Sequence, residues 1–368
     1  MKLAIVNDMV YAYASNKPQA VGGAERQQWL LGRSLAAAGW SVSVGVRESL
    51  QSESRSVIDG VQFVALPHYE SFCAPYQRQL SLHRFLRSER PDWFFSRGAN
   101  YMLGPAVEIA KSLSIRTIFS AAVDGGLTPR TALFSRPYCW PLYAWGLRRS
   151  DKIFVQHEGQ LLELPPRLQL KASILPQIAV PTISVKPHCE RDKYVAWVAM
   201  FREPKRPDVL VDIARRATGI RFVVCGGPTR HYARPGFGEQ AVKELRALPN
   251  VEYRGQVSST EARYIISNAA LFLSTSIKEG FPNTFLDAWS AGTPVISMHC
   301  DPGCIIKRFG LGTISPTVER ALEDITTLME SIARRRQIAA SAQGYIAENH
   351  SVAAAVAAFV EGIGQIAR

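Results

Sequence analysis

Short β-branched runs alternate with stretches of helical spacing along nearly the whole chain, a pattern that predicts βαβ units built around parallel sheets. In the first half the predicted strands are Leu3 to Val6, Val42 to Val46, Val61 to Leu66, Trp93 to Ser96, Thr117 to Ser120 and Ile153 to Val155. In the second half they are Val195 to Val198, Arg221 to Val224, Val251 to Tyr253, Leu271 to Ser274 and Pro294 to Ser297. Two sheets follow. Between them Ile174 to Lys193, with Pro176, Pro181 and Pro187, breaks both periodicities and reads as a linker, so the domain boundary is expected near residue 185. From Thr317 to Arg368 the pattern is helical, with a break at Asn349-His350-Ser351. The expected organisation is residues 1–185 as one domain, 186–350 as a second, and 351–368 as a last helix packing back on the first.

The 368 residues exceed what one hydrophobic core usually serves, and 47% apolar composition excludes a disordered chain. The net charge of +12 is diffuse, with 20 basic against 13 acidic residues in 1–180 and 23 against 18 thereafter. Such a field suits anionic small molecules, nucleic acid or an acidic membrane surface. The six cysteines form no CxxC pair, which disfavours a disulfide framework and fits a reducing cytoplasm. The chain starts on a strand-like segment without a basic leader. No apolar run approaches the ~18 residues of a spanning helix, so any membrane contact is expected to be peripheral.

The stretch Thr275 to Pro294 carries the chemistry. A strand ends at Ser274, a loop holds Glu279 and Gly280, and Pro282 stands where a helix opens. Gly292 then ends that helix. Phe285 and Trp289, four apart, share its buried face. The N–H groups of Asn283, Thr284 and Phe285 would point out of the helix N-terminus, where an anion such as a diphosphate can be held. Two carboxylates, Glu279 and Asp287, bracket that position and can accept hydrogen bonds from sugar hydroxyls.

Glu-Gly-Phe-Pro-Asn-Thr, then an acid, then Ala-Gly-Thr-Pro-Val-Ile closely resembles the nucleotide-sugar signature of family 4 glycosyltransferases with the GT-B fold. The resemblance implies two Rossmann-like parallel-sheet domains facing a central cleft, the first binding the acceptor and the second the donor. It implies a retaining transfer with no cofactor, the nucleotide diphosphate sugar serving as co-substrate. By the same resemblance Glu279 contacts the transferred sugar, the backbone of Gly280, Phe281, Pro282, Asn283 and Thr284 contacts the diphosphate, and Asp287 binds the ribose. Asp287 departs from the Glu usual at its position, being one methylene shorter.

Met200 to Asp208 resembles the family's second-domain entry loop. Lys205 matches its phosphate-gripping Lys, while Ala199 and Met200 hold the positions of its Gly-Arg pair. Arg202 is the candidate for the missing guanidinium, since arginine pairs bidentately with phosphate. Gly22 and Gly23, at the start of a helix, resemble the first-domain glycine loop. Gly226 and Arg254, at two strand exits, are secondary candidates for the nucleotide pocket. The family's first-domain His has no counterpart in Ser96 to Asn100 or Ala122 to Gly126. Asp124, at a strand exit, is the candidate for acceptor binding or proton removal, and His157 reads as a structural histidine.

No Asp-x-Asp is present, and neither His299 with Cys300 and Cys304 nor His188 with Cys189 has the spacing of a structural zinc site. A metal-independent mechanism is therefore expected. Phe134, Tyr138, Trp140, Tyr143 and Trp145, flanked by Arg130, Arg136, Arg148 and Arg149, suit either an anionic lipid interface or a core helix. The expected partners are a nucleotide sugar, a saccharide or lipid-linked saccharide acceptor and the inner face of the plasma membrane, with no nucleic acid. The competing assignments are a sugar-nucleotide epimerase, a nicotinamide dehydrogenase, which the missing GxGxxG disfavours, and a non-catalytic sugar-nucleotide binding module.

Overall fold

The computed structural model describes residues 1–15, 22–47, 54–67, 74–128, 139–182, 185–229 and 234–365. The chain divides into two compact units, Met1–Ile178 together with Val352–Arg368, and Ala179–Ser351.

The first unit is built on an eight-stranded sheet of β1 (Lys2–Val6), β2 (Ser41–Val46), β3 (Arg55–Ile58), β4 (Val61–Ala65), β5 (Trp93–Arg97), β6 (Arg116–Ser120), β7 (Lys152–Val155) and β8 (Ala172–Ile174). Their order is β3-β4-β2-β1-β5-β6-β7-β8. Every pairing is parallel except the edge pair of β3 and β4, which is antiparallel. The second sheet holds β9 (Asp192–Val198), β10 (Arg221–Cys225), β11 (Val251–Gly255), β12 (Ala269–Ser274), β13 (Val295–Ser297) and β14 (Gly312–Ile314). It is all parallel, in the order β11-β10-β9-β12-β13-β14.

Three strands, β3, β8 and β14, do not stand out in the sequence pattern. Each lies at or next to a sheet edge and has only three or four residues, too few to display a period. In the second unit both faces of the sheet are buried, as a parallel sheet requires. Phe272 of β12 packs with Phe285 and Trp289 on one face, while Leu271 and Leu273 pack with Trp197 and Phe201 on the other.

The division between units falls after Ile178, ahead of the expected residue 185, and hydrogen bonds explain the place. The Gln27 side chain accepts from the Ile178 N–H at 2.7 Å and donates to the Ile178 carbonyl at 2.9 Å, tying that residue to the first unit. The next N–H, that of Ala179, donates to the His350 carbonyl at 2.9 Å, inside the second.

The helical tail breaks where the pattern breaks, with one helix ending at Asn349 and the last spanning Val352–Gly364. Phe359 of that last helix is fully buried in the first unit. Its ring stacks on Phe154 at 5.4 Å and meets Trp40 and Phe95 edgewise or tilted at 5.7 and 6.4 Å. Gly362 leaves the space that Phe154 fills, since a Cβ there would stand 2.6 Å from that ring. Phe359→Ala should therefore destabilise the first unit by about 3 to 5 kcal/mol, the usual cost of emptying a buried aromatic site. Urea denaturation of the full chain measures it, and a loss below about 1 kcal/mol would mean that the last helix contributes little to that core.

Candidate functional site

In the second sheet β9 lies between β10 and β12. The chain builds one side of the sheet after β9 and returns to the other side at β12, so the carboxyl ends of these two strands form a topological switch point. Ligands of open α/β sheets bind in the crevice at such a point. The two loops that leave it, after Val198 and after Ser274, carry Arg202, Lys205 and Glu279.

Buried hydrogen bonds fasten these loops together. The Thr275 hydroxyl accepts from Trp197 Nε1 at 3.0 Å and donates to the Lys205 carbonyl at 2.6 Å. The Ile277 N–H donates to the Pro204 carbonyl at 2.9 Å. Held this way, Lys205 Nζ and Glu279 Oε1 form an ion pair, each side chain 18% exposed. Arg202 is half-buried in the same loop, and its Nε is buried with no hydrogen-bond partner among the described residues. Arg206, by contrast, is committed to Asp208 at 2.9 Å.

The helix after the Glu279 loop spans Asn283–Ser290 with Pro282 as its N-cap, so the proline precedes the helix instead of opening it. The N–H of Phe285, expected to be open, donates to the Pro282 carbonyl at 3.1 Å as the first turn tightens. The expected anion cradle narrows to the backbone of Asn283 and Thr284, whose side chains are half-buried. Gly280 is buried, and Phe281 is a core residue against Trp289 at 6.2 Å and His350 at 4.7 Å. Only the backbone of Phe281 is available to a ligand. Asp287 lies one turn further along and is 5% exposed. Phe285 and Trp289 meet as their spacing suggests, with ring centroids 5.3 Å apart and the rings tilted by 59°.

The secondary candidates each have close neighbours within the chain. Gly226 has φ 128°, and a Cβ there would stand 1.8 Å from the Ala199 carbonyl oxygen, so this glycine lets two strand exits touch. Burial pushes the neighbouring Cys225 thiol up to about 12, the mark of a core thiol. Arg254 is paired with Glu252 at 2.7 Å and lies 3.9 Å from Glu261, so its charge is already matched on the edge strand. Gly22 caps the helix Gly23–Ala37 with φ 142°, and a Cβ there would stand 2.2 Å from Glu25 Oε2. A carboxylate of the chain itself thus stands beside that helix start.

In the first unit Asp124 lies in the loop after β6, with its side chain 34% exposed. His157 Nε2 donates to Asp124 Oδ1 at 2.9 Å and Gln160 Nε2 donates to the same oxygen at 2.8 Å. The first unit therefore does bring a histidine to a strand-exit acid, from a segment 33 residues away. Arg97, at the end of β5, carries no sequence motif. It donates to Ser120 Oγ and Gln177 Oε1, and burial pulls its pKa down to about 10 against the opposing charge of Glu25. Of the aromatic cluster, residues 129–138 lie outside the described residues. Tyr143 is buried with its hydroxyl on the Gly126 carbonyl at 2.5 Å, whereas Trp145 is 40% exposed.

Two parallel-sheet units, one with a charged pair at its switch point, define an α/β protein of the GT-B kind. Residues 22–172 match a family model described as "Glycosyl transferase 4-like domain", and residues 192–331 match one described as "Glycosyl transferases group 1". The chain belongs to the glycosyltransferases of the GT-B fold. Among curated proteins it is similar to the D-inositol 3-phosphate glycosyltransferase of Mycobacterium marinum (strain ATCC BAA-535 / M), 28% identical over 107 residues. That match spans 29% of this chain and 23% of the relative. Among solved structures, sucrose-phosphate synthase from Thermosynechococcus elongatus superposes with a TM-score of 0.77 at 14% identity, covering 100% of this chain and 99% of that one. Anabaena Alr3699/HepE in complex with UDP and glucose gives 0.74 at 12%, covering 99% and 100%. WaaG, a glycosyltransferase involved in lipopolysaccharide biosynthesis, gives 0.68 at 17%, covering 97% and 99%. At such identities the likeness is one of fold.

Thr275→Val would leave the buried Trp197 N–H without its acceptor and free the Lys205 carbonyl. The second unit should lose about 1 to 3 kcal/mol of stability, the cost of a stranded buried polar group. Thr275→Ser, which keeps the hydroxyl, should lose clearly less in the same denaturation experiment.

Proposed function

We propose that this chain transfers a sugar from a nucleoside diphosphate sugar to a saccharide or lipid-linked saccharide in polysaccharide or glycoconjugate biosynthesis, with retention at the anomeric carbon. The observation that carries the reading is the Lys205–Glu279 pair, set at the switch point of the second sheet beside the start of the helix Asn283–Ser290. Lys205, Arg202 and the backbone of Gly280 to Thr284 form the diphosphate side, Glu279 the sugar side, and Asp287 the ribose side. A diphosphate competes with Glu279 for the Lys205 ammonium, and the displaced carboxylate is then free to accept sugar hydroxyls. In the transfer, the acceptor oxygen bonds to the anomeric carbon as the bond to the diphosphate breaks. The diphosphate leaves with the electron pair and takes the acceptor proton. The first unit holds the acceptor, with Asp124 as its polar contact.

Among the described residues no group of three or more His, Cys, Asp or Glu is placed to hold a metal ion, and Lys205 and Arg202 supply positive charge for the leaving diphosphate. Among the described residues no helix is long and apolar enough to cross a membrane. A peripheral site at the inner face of the plasma membrane is supported by Trp145 and Arg148, exposed on one helix of a basic chain.

Lys205→Ala should weaken nucleoside diphosphate binding by about 1.5 to 3 kcal/mol, the scale of a hydrogen bond to a charged group, and leave the bare nucleoside unaffected. Calorimetry with both ligands on both proteins measures it, and equal losses would mean that Lys205 supports the pocket and not the phosphate. Glu279→Gln should lower turnover at least tenfold with the fold intact, because a contact at the reacting sugar acts in the transition state. Turnover within about twofold of wild type would remove Glu279 from the reacting centre. Activity should survive EDTA, and a full loss restored by Mn²⁺ or Mg²⁺ would overturn the cationic mechanism.

A further inference from the structure

The loop after β6 is held by side chains from two other segments of the first unit. From the short helix Glu158–Glu163 and its N-cap, His157, Gln160 and Glu163 follow one another at three-residue spacing, which puts them on one face. His157 and Gln160 both donate to Asp124 Oδ1. Glu163 accepts the Gly125 N–H, at 2.9 and 3.1 Å to its two oxygens. Tyr143, from the helix Cys139–Arg149, donates its hydroxyl to the Gly126 carbonyl. Three consecutive residues, Asp124 to Gly126, are thus each pinned by a side chain from elsewhere in the unit.

The donors are themselves fixed. Gln160 is fully buried, accepting the Gln156 N–H at 2.8 Å and donating to Gln156 Oε1 at 3.0 Å. His157 is almost fully buried, and its Nδ1 has no hydrogen-bond partner among the described residues. The Asp124 carboxylate oxygen accepts, so Nε2 is the ring nitrogen that donates to it. Gly159 makes room for this ring, since a Cβ there would stand 3.1 Å from Nδ1. Two donors on Oδ1 fix the carboxylate plane, while Oδ2 has no protein partner among the described residues and the side chain is 34% exposed.

We propose that the helix Glu158–Glu163 is a positioning bracket. His157 and Gln160 lock one oxygen of Asp124 so that the other, Oδ2, is aimed at a hydroxyl of the saccharide acceptor, and Glu163 and Tyr143 hold the two glycines that follow. The inference rests on the transferase reading and extends it to the acceptor side. His157 touches no substrate and acts through Asp124. The arrangement follows the rule that a functional group needs a supporting shell to stay within a fraction of an ångström of its working position.

The test uses the full chain, with nucleoside diphosphate release from a panel of UDP- and GDP-sugars, each supplied with a panel of mono- and oligosaccharide acceptors, as the activity and deuterium exchange of the peptide 121–127 as the structural readout. His157→Leu should lower kcat roughly tenfold or more with the donor KM within about twofold, the signature of a contact used at the reacting step. Exchange in 121–127 should rise at the same time. His157→Gln, whose Nε2 can donate from nearly the same place, should recover most of both. If His157→Leu does not fold, Glu163→Ala serves: it should loosen Gly125 and lower kcat a few-fold. A folded His157→Leu protein with kcat within about twofold of wild type overturns the bracket. So does a Glu163→Ala protein whose loop exchanges faster while kcat is unchanged. Wild-type protein that binds UDP or GDP but releases none from any pair of donor and acceptor overturns the transferase reading and this role together. Wild-type turnover with an unaffected His157→Leu overturns this role alone.

Discussion

The adjacency of β9 and β12 in the second sheet is the constraint on which the site depends. These strands are far apart in the chain, and their pairing places the exits at Val198 and Ser274 side by side. Thr275, with one buried hydroxyl, then converts adjacency into a fixed geometry, because it satisfies Trp197 and the Lys205 carbonyl at once. A buried hydroxyl with both its donor and acceptor roles used has little freedom to move. The Lys205–Glu279 pair inherits that rigidity.

The pair itself is a compromise between burial and charge. At 18% exposure each ion has lost much of its hydration, and mutual attraction offsets that loss. Removal of one partner would leave the other partly buried and uncompensated, which makes either residue sensitive to substitution for more than one reason. On the proposed reading a ligand diphosphate would replace Glu279 as the counter-charge of Lys205, and the same desolvation that holds the pair together would favour an anion in its place. In the first unit the corresponding rigidity comes from uncharged and carboxylate hydrogen bonds onto a glycine-containing loop.

Some residues that attract a functional reading are spoken for by the fold. Gly226 is required because the Ala199 carbonyl touches it, and Arg254 is matched by Glu252. Such cases share a cause. A glycine or arginine at a strand exit looks the same in sequence whether its neighbour is a ligand or another part of the protein. The neighbour is a tertiary fact.

The sequence alone determined the class of fold and the principal motif. Strands of the sheet interiors were legible because both faces of a parallel sheet are apolar, and Phe285 with Trp289 because four residues make one helical turn. The short strands β3, β8 and β14 were not, since three or four residues at a sheet edge show no period. Glu279 was legible because its neighbours form a continuous local pattern. The partnerships Lys205–Glu279, His157–Asp124 and Thr275–Trp197 were decided only by the tertiary structure. Each joins segments 33 to 78 residues apart, and the strand order that brings them together is set by sheet pairing, which no local pattern encodes.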